Sequence, residues 1–117
     1  MQELIILRLD YQTHKEEARN IITARVEFFA QQYGVTYGRI AIRDQRTRWG
    51  SCSNKKNLNF NFRVAFLPDE FRDYIIVHEI CHLKELNHSK RFWELVSQFF
   101  PHYTSIHKQL RNYKLIP

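Results

Sequence analysis

The chain has 117 residues, of which 44% are hydrophobic and 15% aromatic. This composition predicts a single packed domain over residues 1–117 and excludes an intrinsically disordered chain. No apolar run approaches the roughly 20 residues of a membrane span, and Arg8 and Asp10 interrupt the N-terminal apolar stretch too early for a signal peptide. We therefore expect a cytoplasmic protein with no membrane partner, in which the two cysteines are reduced thiols.

The first predicted elements are a strand and a long helix. Residues 4–11 are rich in Ile and Leu, which is typical of a strand. Thr13 and Glu16 match a capping box, so we expect a helix to begin there. Gly34 should end that helix, because glycine favours the left-handed backbone found at many helix ends.

Two further strands are predicted in the middle of the chain. Residues 37–42 alternate weakly between apolar and polar, and residues 58–62 alternate strictly. We expect these segments to join the N-terminal strand in a small antiparallel sheet.

Three helices are predicted after the sheet. Pro68 opens a helix that extends to about Asn87 and is apolar on nearly every side, so it should be buried. Ser89 caps the next helix, which Pro101 ends, and a last helix covers about residues 104–113. The order β-α-β-β-α-α-α predicts an α+β domain with an N-terminal helix, a buried active-site helix and two C-terminal helices.

The buried helix carries a metal-binding pattern. The sequence His78-Glu79-Ile80-Cys81-His82 reads H-E-x-x-H. His78 and His82 are four residues apart and share one helix face, so both can bind one ion, while Glu79 can reach a water molecule beside it. Burying these polar groups costs free energy unless an ion and its water satisfy them.

The third ligand is predicted to be His88. Residues 95–117 contain no Asp or Glu, which disfavours a carboxylate ligand from a later helix. His88 follows His82 after five intervening residues, a spacing also found in zinc peptidases whose chain turns back at this point. We expect the turn near Asn87, because Asn tolerates the left-handed conformation.

These residues predict a zinc metallopeptidase, expected to be an endopeptidase acting on a protein or peptide. One Zn²⁺ ion on three neutral imidazoles keeps an open position and lowers the pKa of its water to about 7. Glu79 then acts as the general base and returns the proton to the leaving amine. An extended substrate is expected to add to a sheet edge formed by residues 46–52 or 58–62.

Other polar residues have ordinary explanations. His14, His102 and His107 are expected to be surface or loop histidines. His102 and Tyr103 are also candidate transition-state donors, because they follow a helix expected to pack against the active-site helix. The Trp49-Gly50-Ser51-Cys52 motif is expected to form a turn with a packed tryptophan.

The positive charge is concentrated in one segment. Residues 39–63 hold seven Lys or Arg residues and one acid, within a chain of net charge +6. Such a segment is either a solvated surface or a contact for nucleic acid or an acidic substrate. The candidate contact residues are Arg43, Arg46, Arg48, Lys55 and Lys56.

Several motifs in order resemble the YgjP-like zinc metallopeptidases, relatives of the SprT and WLM (Spartan-like) families in the zincin group. The motifs are residues 48–53, 57–63, 74–84, 87–89 and 92–93. The resemblance implies a minimal zincin-like domain, with His78, His82 and His88 as ligands of one zinc ion and Glu79 as the catalytic base. Lys56 stands where members of the family often have glycine, which implies an altered turn.

Two alternatives to a peptidase remain. The basic segment and the Spartan-like kinship suggest a DNA-associated protease or nucleic-acid-binding module. A non-catalytic zinc-binding interaction domain is the second alternative, and it would be favoured by a fourth protein ligand closing the metal site. The presence of Glu79 argues against it, because a structural site needs no base.

Overall fold

A computed structural model describes residues 8–113. The elements are α1 (Tyr11–Tyr33), β1 (Ile40–Arg43), β2 (Gly50–Cys52), β3 (Leu58–Asn61), a 3-10 helix (Phe62–Phe66), α2 (Asp69–Cys81), α3 (Lys90–Ser97) and α4 (Tyr103–Leu110). The predicted α+β class is confirmed. The predicted strand at residues 4–11 falls partly outside the described residues, and its described part, residues 8–11, contains no strand.

The helix α1 begins earlier than predicted. Asp10 is its N-cap, and one carboxylate oxygen accepts hydrogen bonds from the Thr13 amide at 2.8 Å and the Thr13 hydroxyl at 2.6 Å. The predicted capping box at Thr13 is therefore wrong. In a capping box the Glu16 side chain would accept a hydrogen bond from the Thr13 amide, but here the Asp10 carboxylate accepts it. Gly34 ends the helix as predicted, with a left-handed φ of 65°.

The sheet is mixed rather than antiparallel throughout. Its strand order is β1-β3-β2, with β3 antiparallel to β2 and parallel to β1. The difference arises because residues 50–52 form a strand that makes a hairpin with β3, which leaves β1 to pair on the opposite side. In the described part of the chain β3 is the central strand, with Leu58 and Phe60 fully buried.

The helix α2 begins after Pro68 as predicted but ends at Cys81, not near Asn87. The chain then turns tightly, because the amides of Lys84 and Glu85 both donate to the Cys81 carbonyl. No left-handed residue is needed for this turn: within residues 8–113, positive φ occurs only at Gly34 and Lys56. This early turn brings His88 back beside the end of α2.

The two C-terminal helices are shorter than predicted. Ser89 caps α3, and its side-chain oxygen accepts a hydrogen bond from the Phe92 amide. The helix ends at Ser97, before Pro101 is reached. The last helix, α4, covers Tyr103–Leu110 and buries Ile106 and Leu110.

The core lies between the sheet and the helices α1 and α2. Ile22, Val26, Phe60, Ile76 and Ile80 are all fully buried there. Outside the core, a bidentate ion pair between Arg25 and Asp73 joins the two helices at 2.9–3.1 Å. Across residues 8–113, no helix combines the length and apolar character needed to cross a membrane.

Candidate metal centre and active site

Three histidines converge at the C-terminal end of α2. His78 lies in its last turn, His82 is the C-cap, and His88 returns from the following loop. Each offers one ring nitrogen, and these three nitrogens lie within 4.8 Å of one another. His78 is half-buried, His82 is buried and His88 is exposed, so an ion between them would be reached from solvent on the His88 side.

A hydrogen bond orients the ring of His82. Its Nδ1 lies 2.9 Å from the carbonyl oxygen of Glu85, an acceptor that requires a proton on Nδ1. Nε2 therefore keeps its lone pair, and it lies 3.2 Å from Nε2 of His88. An acceptor behind the ligating imidazole is the usual device by which proteins fix a metal-binding histidine.

Aromatic rings from α3 support the histidines. Phe92 stacks on His82 with 4.4 Å between ring centroids, and it meets His78 and His88 edge-on. Trp93 stacks on His88 at 5.8 Å. Burial and the charges of His78 and His82 lower the pKa of His88, which favours the neutral imidazole that metals bind.

The donor set fits a zinc ion. Zinc–nitrogen bonds of about 2.0–2.1 Å in a tetrahedral site place ligand nitrogens roughly 3.3 Å apart, and the His82–His88 separation is 3.2 Å. Within residues 8–113 the grouped donors are three imidazoles with no fourth protein ligand. Three ligands with one open position are typical of catalytic zinc sites rather than structural ones.

Glu79 lies between the histidines and β2. Its Oε2 is 3.2 Å from Nδ1 of His78, and the residue is only 6% exposed. Gly50 of β2 approaches it closely: a Cβ at this position would stand 3.3 Å from Cγ of Glu79 and 3.0 Å from the Asn59 carbonyl oxygen. The close approach of β2 to the active-site helix therefore leaves little room for a side chain at position 50.

The Trp49-Gly50-Ser51-Cys52 motif is part of this site. The prediction of a turn there is wrong, because residues 50–52 pair with β3 as an edge strand. The prediction of a packed tryptophan is confirmed, since Trp49 is half-buried against the core. Trp49 and Gly50 also line a cavity of about 140 Å³ together with His78 and Glu79.

Tyr74 and His107 line the same cavity and were not predicted as site residues. The Tyr74 hydroxyl is 3.3 Å from Nδ1 of His107, and burial, followed by the charges of Tyr103 and Glu79, raises the pKa of Tyr74 to about 12. Tyr74 precedes His78 by four residues, so the spacing alone places both side chains on the same face of the helix. Nothing in the sequence indicates His107, which α4 contributes by tertiary packing.

The predicted donors His102 and Tyr103 lie elsewhere. His102 is exposed at the N-terminus of α4, and Tyr103 stacks on Trp93 at 4.7 Å. Neither residue lines the cavity beside Glu79.

The candidate basic contacts lie at the end of β1 and in the loops that follow β1 and β2. Arg43 donates to the side chain of Asn59, Arg46 faces Asp44 at 3.9 Å, and Arg48 is exposed before β2. Lys55 and Lys56 are exposed in the turn between β2 and β3, where Lys56 adopts a left-handed φ of 66°. Glycine, which the sequence resemblance implies at this position, would adopt that backbone without steric cost.

A groove of about 480 Å³ brings a different set of arginines together. Arg43 lines it with Arg19 of α1 and Arg39, which precedes β1. Arg63 also belongs to the basic segment but is only 3% exposed. Its guanidinium donates to Asp44 at 2.9 Å, so it stabilises the fold instead of meeting a partner.

The fold is that of a compact metallopeptidase. The crystal structure of the metallopeptidase zymogen of Pyrococcus abyssi abylysin superposes with a TM-score of 0.71 at 22% identity, covering 82% of this chain and 99% of that one. The zymogen of Methanocaldococcus jannaschii jannalysin gives 0.69 at 24% identity, covering 78% and 94%. At these identities the likeness concerns the fold alone.

The chain belongs to the YgjP-like family. The model of the YgjP-like metallopeptidase domain matches residues 6–113, which confirms the resemblance found in the sequence motifs. A comparison with curated protein sequences finds no match.

Proposed function

We propose that this protein is a zinc-dependent endopeptidase in which Glu79 is the general base. The observation that carries the proposal is the convergence of three histidine nitrogens within 4.8 Å, beside a carboxylate that lines an open cavity. A bound zinc ion would supply an electrophile that acidifies water and polarises a carbonyl group.

The chain's own residues divide the remaining work. Glu79 is placed to accept a proton from the attacking water and to deliver it to the leaving amine. Its contact with His78 and its burial under Gly50 limit its rotamers, so the carboxylate is held toward the cavity. Tyr74 and His107 line the same cavity as Glu79, and we assign them the stabilisation of the developing oxyanion as hydrogen-bond donors.

The edge of β2 is the proposed binding site for an extended substrate. The Asn61 amide donates to the Trp49 carbonyl, so these two residues are a hydrogen-bonded pair of the antiparallel ladder. Hydrogen-bonded and non-hydrogen-bonded pairs alternate along such a ladder. The peptide groups of Gly50 and Cys52 therefore face away from β3 and are oriented to pair with another strand. The sequence predicted a substrate-binding edge at residues 46–52 or at residues 58–62. Residues 58–62 include β3, which is the central strand among those described, so the proposed edge is the one in residues 46–52.

A cleavage assay with a metal measurement tests the proposal. The zinc-loaded wild type should cut a reduced, unfolded protein, and Glu79→Gln should lose about 10²–10⁴-fold in rate while it retains one zinc per chain. Glu94→Gln is the matched control, because Glu94 is an exposed carboxylate on α3 and its loss should leave the rate unchanged. Cleavage by Glu79→Gln at the wild-type rate would refute the mechanism.

A second candidate function is association with nucleic acid, and the groove of Arg19, Arg39 and Arg43 favours it. Phosphate contacts make binding strongly salt-dependent, and each lost contact lowers the slope of log K against log salt by about 1. Fluorescence anisotropy with single-stranded DNA should show such binding, weakened by Arg39→Glu and Arg43→Glu but not by Arg91→Glu on α3. No binding at low salt would exclude this function.

The non-catalytic alternative predicts a closed metal site. In the described part of the chain only three donors are grouped, and a carboxylate lies beside them without being one of the three. Both features favour the peptidase over an interaction domain.

A further inference from the structure

A second cavity adjoins the metal centre. Its volume is about 320 Å³, and it is lined by Trp93, Tyr103, Thr104, His107, Lys108 and Arg111. Ligand sites in proteins begin at about 300 Å³, so this space is sufficient for one side chain or chain end. The proposed mechanism uses His107 but neither of the cationic lining residues, Lys108 and Arg111.

Stacked rings connect this cavity to the metal ligands. Tyr103 stacks on Trp93 with 4.7 Å between centroids and 15° between planes. Trp93 in turn stacks on His88 at 5.8 Å and 23°. His107 lines both this cavity and the one beside Glu79, so a molecule bound at the reaction centre can place one of its groups in this cavity.

The cavity is positively charged. Lys108 and Arg111 are exposed, and within residues 8–113 neither forms an ion pair with a carboxylate. None of the lining residues is acidic, and residues 95–117 contain no Asp or Glu. The nearest acid in the sequence, Glu94, is exposed on α3 and does not line the cavity.

We propose that this cavity is a substrate subsite that binds a carboxylate, either the side chain of an acidic residue near the scissile bond or the C-terminal carboxylate of a peptide. The inference rests on the proposed peptidase function, whose substrate class it names. The flat surface of Trp93 and Tyr103 packs against the aliphatic stem of the ligand. Arg111 presents a planar fork that pairs with both oxygens of a carboxylate, and Lys108 adds a point charge.

Binding can be measured without turnover by calorimetry on zinc-loaded Glu79→Gln protein. Three hexapeptides of otherwise identical sequence serve as probes: one with a central Glu and an amidated C-terminus, its Gln counterpart, and the Gln peptide with a free C-terminal carboxylate. At least one carboxylate peptide should bind about 10-fold or more tightly than the amidated Gln peptide. The peptide that does so identifies which carboxylate the subsite accepts.

Variants of the cavity test the assignment to these residues. When Arg111→Gln is added to the Glu79→Gln protein, the affinities for the three peptides should come within twofold of one another. Adding Arg91→Gln instead removes an exposed cation outside the cavity, and the preference for a carboxylate peptide should remain. Arg111→Glu should reverse the preference, so that a fourth peptide, with a central Lys and an amidated C-terminus, binds more tightly than the carboxylate peptides. Equal affinities in the protein with Arg111 intact, or a preference that survives Arg111→Gln combined with Lys108→Gln, would overturn the proposal.

Cleavage of the same peptides by the wild type separates the two claims. If the binding preference appears and no peptide is cut, the subsite stands and the peptidase assignment fails. If all three peptides bind and are cut equally, the peptidase stands and the subsite fails.

Discussion

The two sides of the metal centre are built differently. On one side, His78, Glu79 and His82 stand on or directly at the end of α2, next to Ile80, which is fully buried in the core. On the other side, His88 is exposed and follows a loop that includes Leu86, which is 57% exposed. The first side is fixed by the fold, whereas the second is held by ring stacking and one helix cap, and a bound ion would add to these contacts.

This difference shows how a small domain can hold a reactive site. Their position on or at the end of a helix packed in the core gives Glu79, the proposed base, and the candidate ligands His78 and His82 a defined geometry without the metal, which reduces the reorganisation needed at the moment of reaction. The exposed third ligand leaves a route for the metal and for substrate. Regions with few buried contacts open most readily, so the His88 loop should respond to zinc far more than α2.

The largest expected effect contrasts the two sides directly. Ile80→Ala should lower the free energy of unfolding by about 2–5 kcal/mol, because it removes a fully buried side chain from beneath the site. Leu86→Ala should change it by no more than about 0.5 kcal/mol, because the side chain is largely solvated. Urea unfolding of both zinc-free variants checks this, and equal losses would contradict the asymmetry.

Zinc binding should stabilise the protein mainly through the loop side. Free zinc at 100 times its dissociation constant should add about 2.7 kcal/mol to the free energy of unfolding. Hydrogen exchange should show new protection of residues 83–89 and little change within α2. His88→Ala should lose the zinc increment while the zinc-free protein keeps its stability, since His88 is exposed. Uniform protection of both sides would argue against this division.

The helix cap beside His88 should have a smaller effect. Ser89→Ala removes the oxygen that accepts the Phe92 amide, which should cost about 1 kcal/mol in thermal or urea unfolding. Ser89→Asn retains an equally good cap without adding a charge beside Glu85, and it is the matched control. If Ser89→Ala weakens zinc binding as well and Ser89→Asn does not, the cap also positions the third ligand.

The smallest effect is expected in the turn between β2 and β3, which contributes none of the three candidate ligands. Lys56 has a left-handed backbone that glycine adopts without strain, so Lys56→Gly should raise the free energy of unfolding by up to about 1 kcal/mol. Lys55→Gly in the same turn should give no gain, because Lys55 does not have a positive φ. A loss at position 56 would show that the backbone there carries no strain.

The helix α2 and its metal-binding motif could be predicted because both depend on residues that are close together in the sequence. The H-E-x-x-H spacing and the apolar surroundings of His78 depend only on helix geometry, and both predict the site from neighbouring residues. The turn after Cys81 was mispredicted because it uses bifurcated backbone hydrogen bonds rather than a left-handed Asn87. Such a turn has no residue-type signature.

Long-range packing accounts for the other misses. In the sequence β2 lies between β1 and β3, but in the sheet β2 lies on the other side of β3. The strands β1 and β3 are therefore neighbours and pair in parallel. His107 joins the active-site cavity because α4 packs against α2, and no spacing in the chain encodes that contact. Residues that reach a site from a separate element are the ones that a single sequence identifies least well.

Among the strands of residues 8–113, β2 lies at an edge of the sheet, and this position bears on self-association. A strand edge that can accept a substrate can also accept the edge of another copy, and long, flat edges are the usual starting points of aggregation. Here the strand is only three residues long, Arg48 precedes it, and the helix α2 flanks it. The short edge limits the number of backbone hydrogen bonds that any partner can form, so the protein can keep this edge open to solvent and still remain dispersed.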